Sequence, residues 1–301
     1  MGKPVLVIFA DGDGRFKRAG RRLALQATMS GQFKKVSLHN LDSVLRGLKG
    51  EDRQHSRLLT SGVRGFGYWL WKPLLIKSSL SSLNHGDVLV YLDAGCELNF
   101  AGVAAKDRWS DYRSLAADNG VLAVETLYPT RLWAKGDLLD ATDQAFGTTN
   151  QHEANFLMFR NDSSGWDTVL NWLELSTCCR YHLLDDSPST VPEDPAYIEH
   201  RHDQAVLSCL LHRAGLSLPV GETYFGLPVH VAMQEWIAYA TSSPHSAEMN
   251  KDQRMCWLKN RCASLPRALD AKSLRESWRE SGANYPIWAA RTLGMLPSFG
   301  G

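Results

Sequence analysis

The chain has 301 residues, 44% apolar and 22% charged, with a formal net charge of +1. That suffices for one large domain or two small ones with a sizeable core, in the ordinary balance of a globular protein. Near-neutrality gives no global pull towards nucleic acid or a strongly acidic partner. No apolar run approaches the roughly 18 residues of a spanning helix, and the opening VLVIFA is too short for the apolar centre of a secretion signal. Six scattered cysteines include no CxxC pair. Zinc-ribbon spacing is therefore absent, and reduced thiols in a cytoplasmic protein are expected. Ten tryptophans are the one compositional excess; tryptophan suits cores and sugar-binding clefts alike.

The first strand is expected over Val5–Ala10, closed by the turn-forming DGDG. A polar helix follows over Arg15–Met29, then an alternating strand over Phe33–Leu38 and a short helix stopped by Gly47 or Gly50. This βαβα order favours a mostly parallel sheet with helices on its faces. Next comes RGFGYWLWKP, from Arg64 to Pro73, in which Phe66, Tyr68, Trp69 and Trp71 crowd around two glycines. Pro73 suits the first turn of a helix, and Ile76, Leu80 and Leu83 share one helix face.

Val88–Leu92 is a continuous apolar run, fit for a strand buried on both faces, and it ends on Asp93. Ligands of open α/β sheets bind outside the carboxyl ends of strands, which puts Asp93 where chemistry is done. Further strands are expected over Val121–Thr126 and Asn155–Asn161, with a helix starting near Asp137 between them. An amphipathic helix capped by Ser163 or Ser164 follows, then an acidic, proline-rich loop over 185–198. HDQAVLSCLLHRAG reads as a helix ended by Gly215. After about residue 240 the periodicity fades. We therefore expect a domain over 1–240 and an extension over 241–301 packing on it.

RGFGYWLWKP, GDVLVYLDAGCEL, NFLMFRN and HRHDQAVLS, taken together, resemble the GT-A class of nucleotide-sugar glycosyltransferases. More narrowly they resemble a bacterial family of capsule or lipopolysaccharide glycosyltransferases, over about residues 5–215. The resemblance implies a single GT-A-like, Rossmann-type domain with a mostly parallel sheet flanked by helices. It implies hexosyl transfer from a nucleotide diphosphate sugar, with a UDP-sugar as the expected donor. The acceptor would be a hydroxyl of a surface polysaccharide, or of a related or lipid-linked glycan.

The class holds Mn²⁺ or Mg²⁺ with a strand-end Asp-x-Asp, which here reads Asp93-Ala94-Gly95. The second acid is missing, so weak or partial metal dependence is expected, with Glu97 or His230 as substitute ligands to Asp93. By the same resemblance Ala10 and Asp11 would meet the nucleoside. Ala94, Gly95, Lys135, His202 and Gln204 would line the donor site, and Arg201 would bind phosphate. Asp203, Asp93 and Glu153 are the candidate catalytic acids.

The residues themselves support a nucleotide-sugar cleft. Gly65 and Gly67 would allow close backbone approach to a ligand. Tyr68, Trp69 and Trp71 would stack on a base or a sugar face. Arg64 and Lys72 would meet phosphate oxygens, and a charge at Lys72, inside such an apolar stretch, needs a partner. Two rival functions remain. Asp11 and Asp13 could pair in a metal-dependent phosphohydrolase. The missing acid after Asp93 would suit a non-catalytic nucleotide-sugar-binding subunit. The tail, with Arg275, Arg279 and Arg291 beside Trp278, Trp288 and Leu293, gives at most peripheral contact with the inner membrane.

Overall fold

The computed structural model describes residues 2–98, 103–142, 149–216 and 238–240. The tail residues named above, His230 and the extension over 241–301 lie outside them, as does the side chain of Glu97. The chain opens with β1 (Val5–Phe9), α1 (Gly14–Ser30), β2 (Lys35–His39) and α2 (Leu41–Gly47). A 3₁₀ helix (Gly50–Arg57), the turn α3 (Gly65–Tyr68) and α4 (Trp71–Leu80) lead into β3 (Val88–Asp93) and β4 (Cys96–Leu98). Then come α5 (Val103–Asn119), β5 (Val121–Pro129), α6 (Thr130–Trp133), α7 (Gly136–Ala141) and β6 (Asn150–Arg160). The series ends with α8 (Ser163–Tyr181), α9 (His202–Arg213) and β7 (Ala238–Ala240).

Five strands form one open sheet in the order β2-β1-β3-β6-β5. β1 pairs in parallel with β2 and β3, and β6 runs antiparallel between β3 and β5. Four strands therefore point one way and β6 alone points back. This is a mixed α/β fold with helices on both faces of the sheet, and β3 is its middle strand. β4 and β7 form a separate antiparallel pair.

Strand alternation sorts the core into two layers. Val5, Val7 and Phe9, with Leu89 and Tyr91, face the side covered by α4, α8 and α9. Leu6 and Ile8, with Val88, Val90 and Leu92, face α1 and α5. Asp93 follows Tyr91 by two positions, so it inherits the α4/α8/α9 side. The reversed β6 brings its first half to the same end: Leu92 pairs with Phe156, leaving residues 150–154 beyond the end of β3.

Local signals mostly held, with small corrections. α1 stops at Gly31 in the left-handed region. The cap of α8 is Asp162, not Ser163 or Ser164: its carboxylate accepts from the Gly165 N–H at 3.0 Å. In N-D-S-S each residue after the asparagine is a good cap, and the first to leave the strand takes the role. β6 begins five residues earlier than its apolar run, because its first half lines the polar end of the sheet.

Candidate active site

At the carboxyl end of β3, side chains from four elements converge. Lys72 projects from the first turn of α4, and its Nζ lies 2.7 Å from Asp203 Oδ2 and 3.7 Å from Asp93 Oδ1. It also donates to the Ala154 carbonyl at 3.0 Å. The Lys72 and Asp203 side chains are 3% and 7% exposed, whereas Asp93 is 39% exposed. Asp203 is not the helix cap; it sits inside the first turn of α9, where Arg201 is the cap residue without a side-chain bond. The expected partner of the buried Lys72 charge is thus a pair of carboxylates.

Burial alone would push the Lys72 pKa down; the Asp203 and Asp93 carboxylates outweigh it and raise it. Burial raises the Asp203 carboxyl too, and Lys72 opposes that rise. At 2.7 Å, with both groups shut from solvent, an ion pair is the arrangement that leaves neither charge alone. Tyr91 completes the group by donating its hydroxyl to Asp93 Oδ1. Burial, then Asp93, holds the phenol well above its usual pKa, so it stays a donor. Tyr91 and Lys72 both approach Asp93 through Oδ1.

Glu153, half-buried in the first half of β6, is near enough to Asp93 and Lys72 to interact with their charges. Burial pushes its carboxyl from 4.5 up to about 7; Asp93 adds to the rise, while Arg201 and Lys72 oppose it. Behind the strand end, buried Arg22 of α1 donates to the carbonyls of Ala94 and Cys96, at 3.3 and 2.8 Å. It fixes the Asp93-Ala94-Gly95 turn from the opposite face. Sequence spacing could have suggested Tyr91, two positions before Asp93; nothing local marks Arg22 among the arginines of α1. The described residues alone do not compose a divalent-ion site: Asp93 offers one oxygen, beside an ammonium, and no cluster of three ligating side chains occurs among them.

The aromatic stretch divides differently from expectation. Trp71 is core: it is 3% exposed, stacks on Phe9 with ring centres 3.7 Å apart, and donates Nε1–H to the Gly65 carbonyl at 2.9 Å. Tyr68 and Trp69 lie against the His202 ring, at 5.2 and 5.4 Å. Five consecutive residues, Gly65 to Trp69, have φ between 53° and 97°. For Phe66, Tyr68 and Trp69 this left-handed geometry costs about 1–2 kcal/mol each, and such strain persists where packing over-determines it. Gly67 serves that turn: a Cβ there would stand 2.8 Å from the Leu58 carbonyl oxygen. Gly67→Ala should therefore destabilise the fold by roughly 1–3 kcal/mol, read as a lower urea midpoint.

Several other candidates hold the loop between α8 and α9. Lys135 is fully buried and donates to the carbonyls of His182 and Ser187 and, at 3.3 Å, to Asp185 Oδ1. Its donors are spent on the loop, which corrects the expectation of a ligand contact. Asp137 accepts from the backbone N–H and hydroxyl of Thr190, both at 2.7 Å, and from His182. Against the opposing effect of burial, these bonds hold its pKa well below the carboxylate range. His202 Nδ1 donates to the Leu184 carbonyl at 2.8 Å, and burial lowers its pKa. Arg64, exposed, reaches Asp186 at 3.3 Å and Glu199 at 3.5 Å.

At the end of β1, Ala10 is buried and its N–H donates to the His39 carbonyl. Asp11 accepts from the N–H groups of Gly12 and Leu41, at 2.7 and 2.9 Å, with Lys17 at 3.2 Å. Asp13 caps α1. Both acids are thus committed to backbone, which removes the support for paired-aspartate phosphohydrolase chemistry. Ala94 is buried, and Gly95 and Gln204 are half-buried at the rim.

No family model and no curated protein matches the sequence. Among solved structures the chain is similar to mouse xyloside xylosyltransferase 1 in its apo form, at 10% identity over 72% of this chain and 84% of that one, with a TM-score of 0.39. It is also similar to the apo structure of the bifunctional glycosyltransferase WbbM, at 13% identity over 97% of this chain, with a TM-score of 0.38. The match covers 51% of WbbM, so this chain spans about half its length.

Proposed function

We propose that this chain is a GT-A-type glycosyltransferase, moving a sugar from a nucleotide diphosphate sugar, with UDP-sugars the leading donors, to a glycan hydroxyl. One observation carries the reading: Asp93, Lys72, Asp203 and Glu153 converge at the carboxyl end of the middle strand, where open α/β sheets bind ligands. In this reading the nucleoside lies over the end of β1 beside Asp11, and the diphosphate and sugar lie over Asp93. Asp93 Oδ2 accepts hydrogen bonds from the sugar and stabilises positive character at the anomeric carbon. Lys72 sets a buried cation 3.7 Å from that carboxylate. Arg64 exchanges its exposed carboxylate partners for phosphate oxygens. Asp203, shut behind Lys72, is a counter-ion, and Glu153 takes the proton of the attacking hydroxyl. A divalent ion held by Asp93 with Glu97 or His230 would help neutralise the leaving diphosphate, and activity with and without a chelator tests that contribution.

Glu153 gives a test with a definite sign. As the base it must be ionised, so transfer should rise about tenfold per pH unit below about 7 and level off above it. Glu153→Gln should be slow and flat in pH. Stability runs the other way. The folded pKa lies above the unfolded 4.5, so ionising Glu153 costs stability progressively from about pH 4.5 and fully above about 7. Glu153→Gln should be more stable than wild type by roughly 1–3 kcal/mol at pH 8 and equal to it at pH 4. A rate profile unchanged by the substitution would remove Glu153 from proton transfer. The donor half is tested by calorimetric titration with UDP and UDP-glucose; absence of binding by every nucleotide tried would sink the reading.

A further inference from the structure

At the β5 edge of the cleft, a guanidinium lies against two aromatic rings. Arg201 Cζ is 5.1 Å from the Tyr128 ring centre and 4.6 Å from that of Trp133. The rings meet edge to face at 5.5 Å. The Arg201 Nε is buried and has no hydrogen-bond partner among the described residues. No carboxylate among those residues lies within ion-pair contact of the guanidinium, although its charge reaches the Glu153 carboxyl and opposes the rise of that group's pKa. The corner is built by backbone: the Arg201 N–H donates to the Trp133 carbonyl, and the Ile198 N–H to the Leu132 carbonyl, both at 2.9 Å. A cation packed on apolar rings with spare donors is a receptor for an anion.

Which anion follows from strand order. β5 lies two strands beyond β3 and three beyond β1. At about 4.8 Å per strand, that puts the β5 edge roughly 10 Å past Asp93 and 14 Å past the nucleoside end. A donor whose diphosphate sits over Asp93 leaves this corner on the far side of its sugar. The rings offer a pyranose an apolar face, which a diphosphate lacks.

We infer that Tyr128, Trp133 and Arg201 form an acceptor subsite for a pyranose bearing an anionic group, a carboxylate or a phosphate. The sugar face stacks on the rings and the guanidinium takes the charge with paired hydrogen bonds. The inference rests on the transferase reading for the word acceptor, but binding alone tests it. Methyl β-D-glucuronoside, methyl β-D-glucoside 6-phosphate and neutral methyl β-D-glucoside are titrated against the full chain by ligand-observed NMR. UDP is titrated separately.

One or both charged glycosides should bind at least tenfold more tightly than the neutral one, and which of the two does so identifies the anion. Arg201→Gln should erase the difference and leave neutral binding unchanged. Trp133→Leu, checked for folding by circular dichroism, should weaken all three glycosides and spare UDP. Equal affinity for charged and neutral glycosides, or no binding by any, overturns the subsite. A loss of UDP affinity in Arg201→Gln with glycosides unaffected also overturns it, giving the guanidinium to the diphosphate. Glycoside binding without any nucleotide binding would keep the subsite and discard the transferase.

Discussion

Replacing Lys72 with alanine should cost about 3–5 kcal/mol of stability, the largest single effect in the molecule. The size comes from what remains behind. Asp203 is 7% exposed, with Lys72 Nζ at 2.7 Å. The same ammonium neutralises Asp93 and satisfies the Ala154 carbonyl. Without it, one carboxylate stays buried and unpaired, and the Ala154 carbonyl loses its donor. The fold can escape only by protonating Asp203, whose pKa burial already raises. The loss should therefore shrink at low pH. The companion Lys72→Met with Asp203→Leu removes both charges and keeps the volume, so it should recover most of the stability. It should not recover activity, because Asp93 loses its neighbouring cation. Urea unfolding of the three proteins measures this. A loss under about 1 kcal/mol for Lys72→Ala would mean that Asp203 is solvated and the cluster is not the buried unit described here.

Asp93→Ala should lower turnover by roughly a hundredfold to a thousandfold, about 3–4 kcal/mol of barrier, while the protein stays folded. Asp93 is 39% exposed, against 7% for Asp203. Its removal leaves Lys72 paired with Asp203, so the interior keeps its charge balance. Tyr91→Phe refines the point. The ring stays in the core, but Asp93 Oδ1 loses its donor, and the carboxylate is free to rotate away from the opening. The expected effect is about tenfold on kcat, with KM little changed, since orientation and not binding is lost. Wild-type turnover by a folded Asp93→Ala protein would remove Asp93 from the reaction.

The sheet was legible where one period dominates. Val88–Leu92 has no polar residue and ends on an acid, so both its burial and the position of Asp93 followed directly. Lys72 was legible as a charge needing a partner, because every residue from Leu74 to Ile76 is apolar. That uniformity hid Trp71. Trp71, Lys72, Pro73 and Leu74 to Ile76 are all buried, so the first six residues of α4 have no polar face to show which aromatic points inward. Lys135 looks like a site residue in the sequence because its partners come from a loop about 50 residues later. No local signal reports such a contact. The left-handed run at 65–69 was half-visible in its two glycines; its non-glycine members depend on packing against Phe9 and His202.

The most direct test is release of UDP from UDP-glucose, UDP-galactose, UDP-N-acetylglucosamine and UDP-glucuronate, with glucuronate- and phosphate-bearing glycoside acceptors, in chelator and in Mn²⁺. The account predicts UDP release from at least one donor, coupled to a new glycosidic product and lost in Asp93→Ala. Binding of a donor with no release under any of these conditions would contradict it and leave a nucleotide-sugar-binding protein. Release at an equal rate by Asp93→Ala would contradict it as well, by placing the chemistry somewhere other than the end of β3.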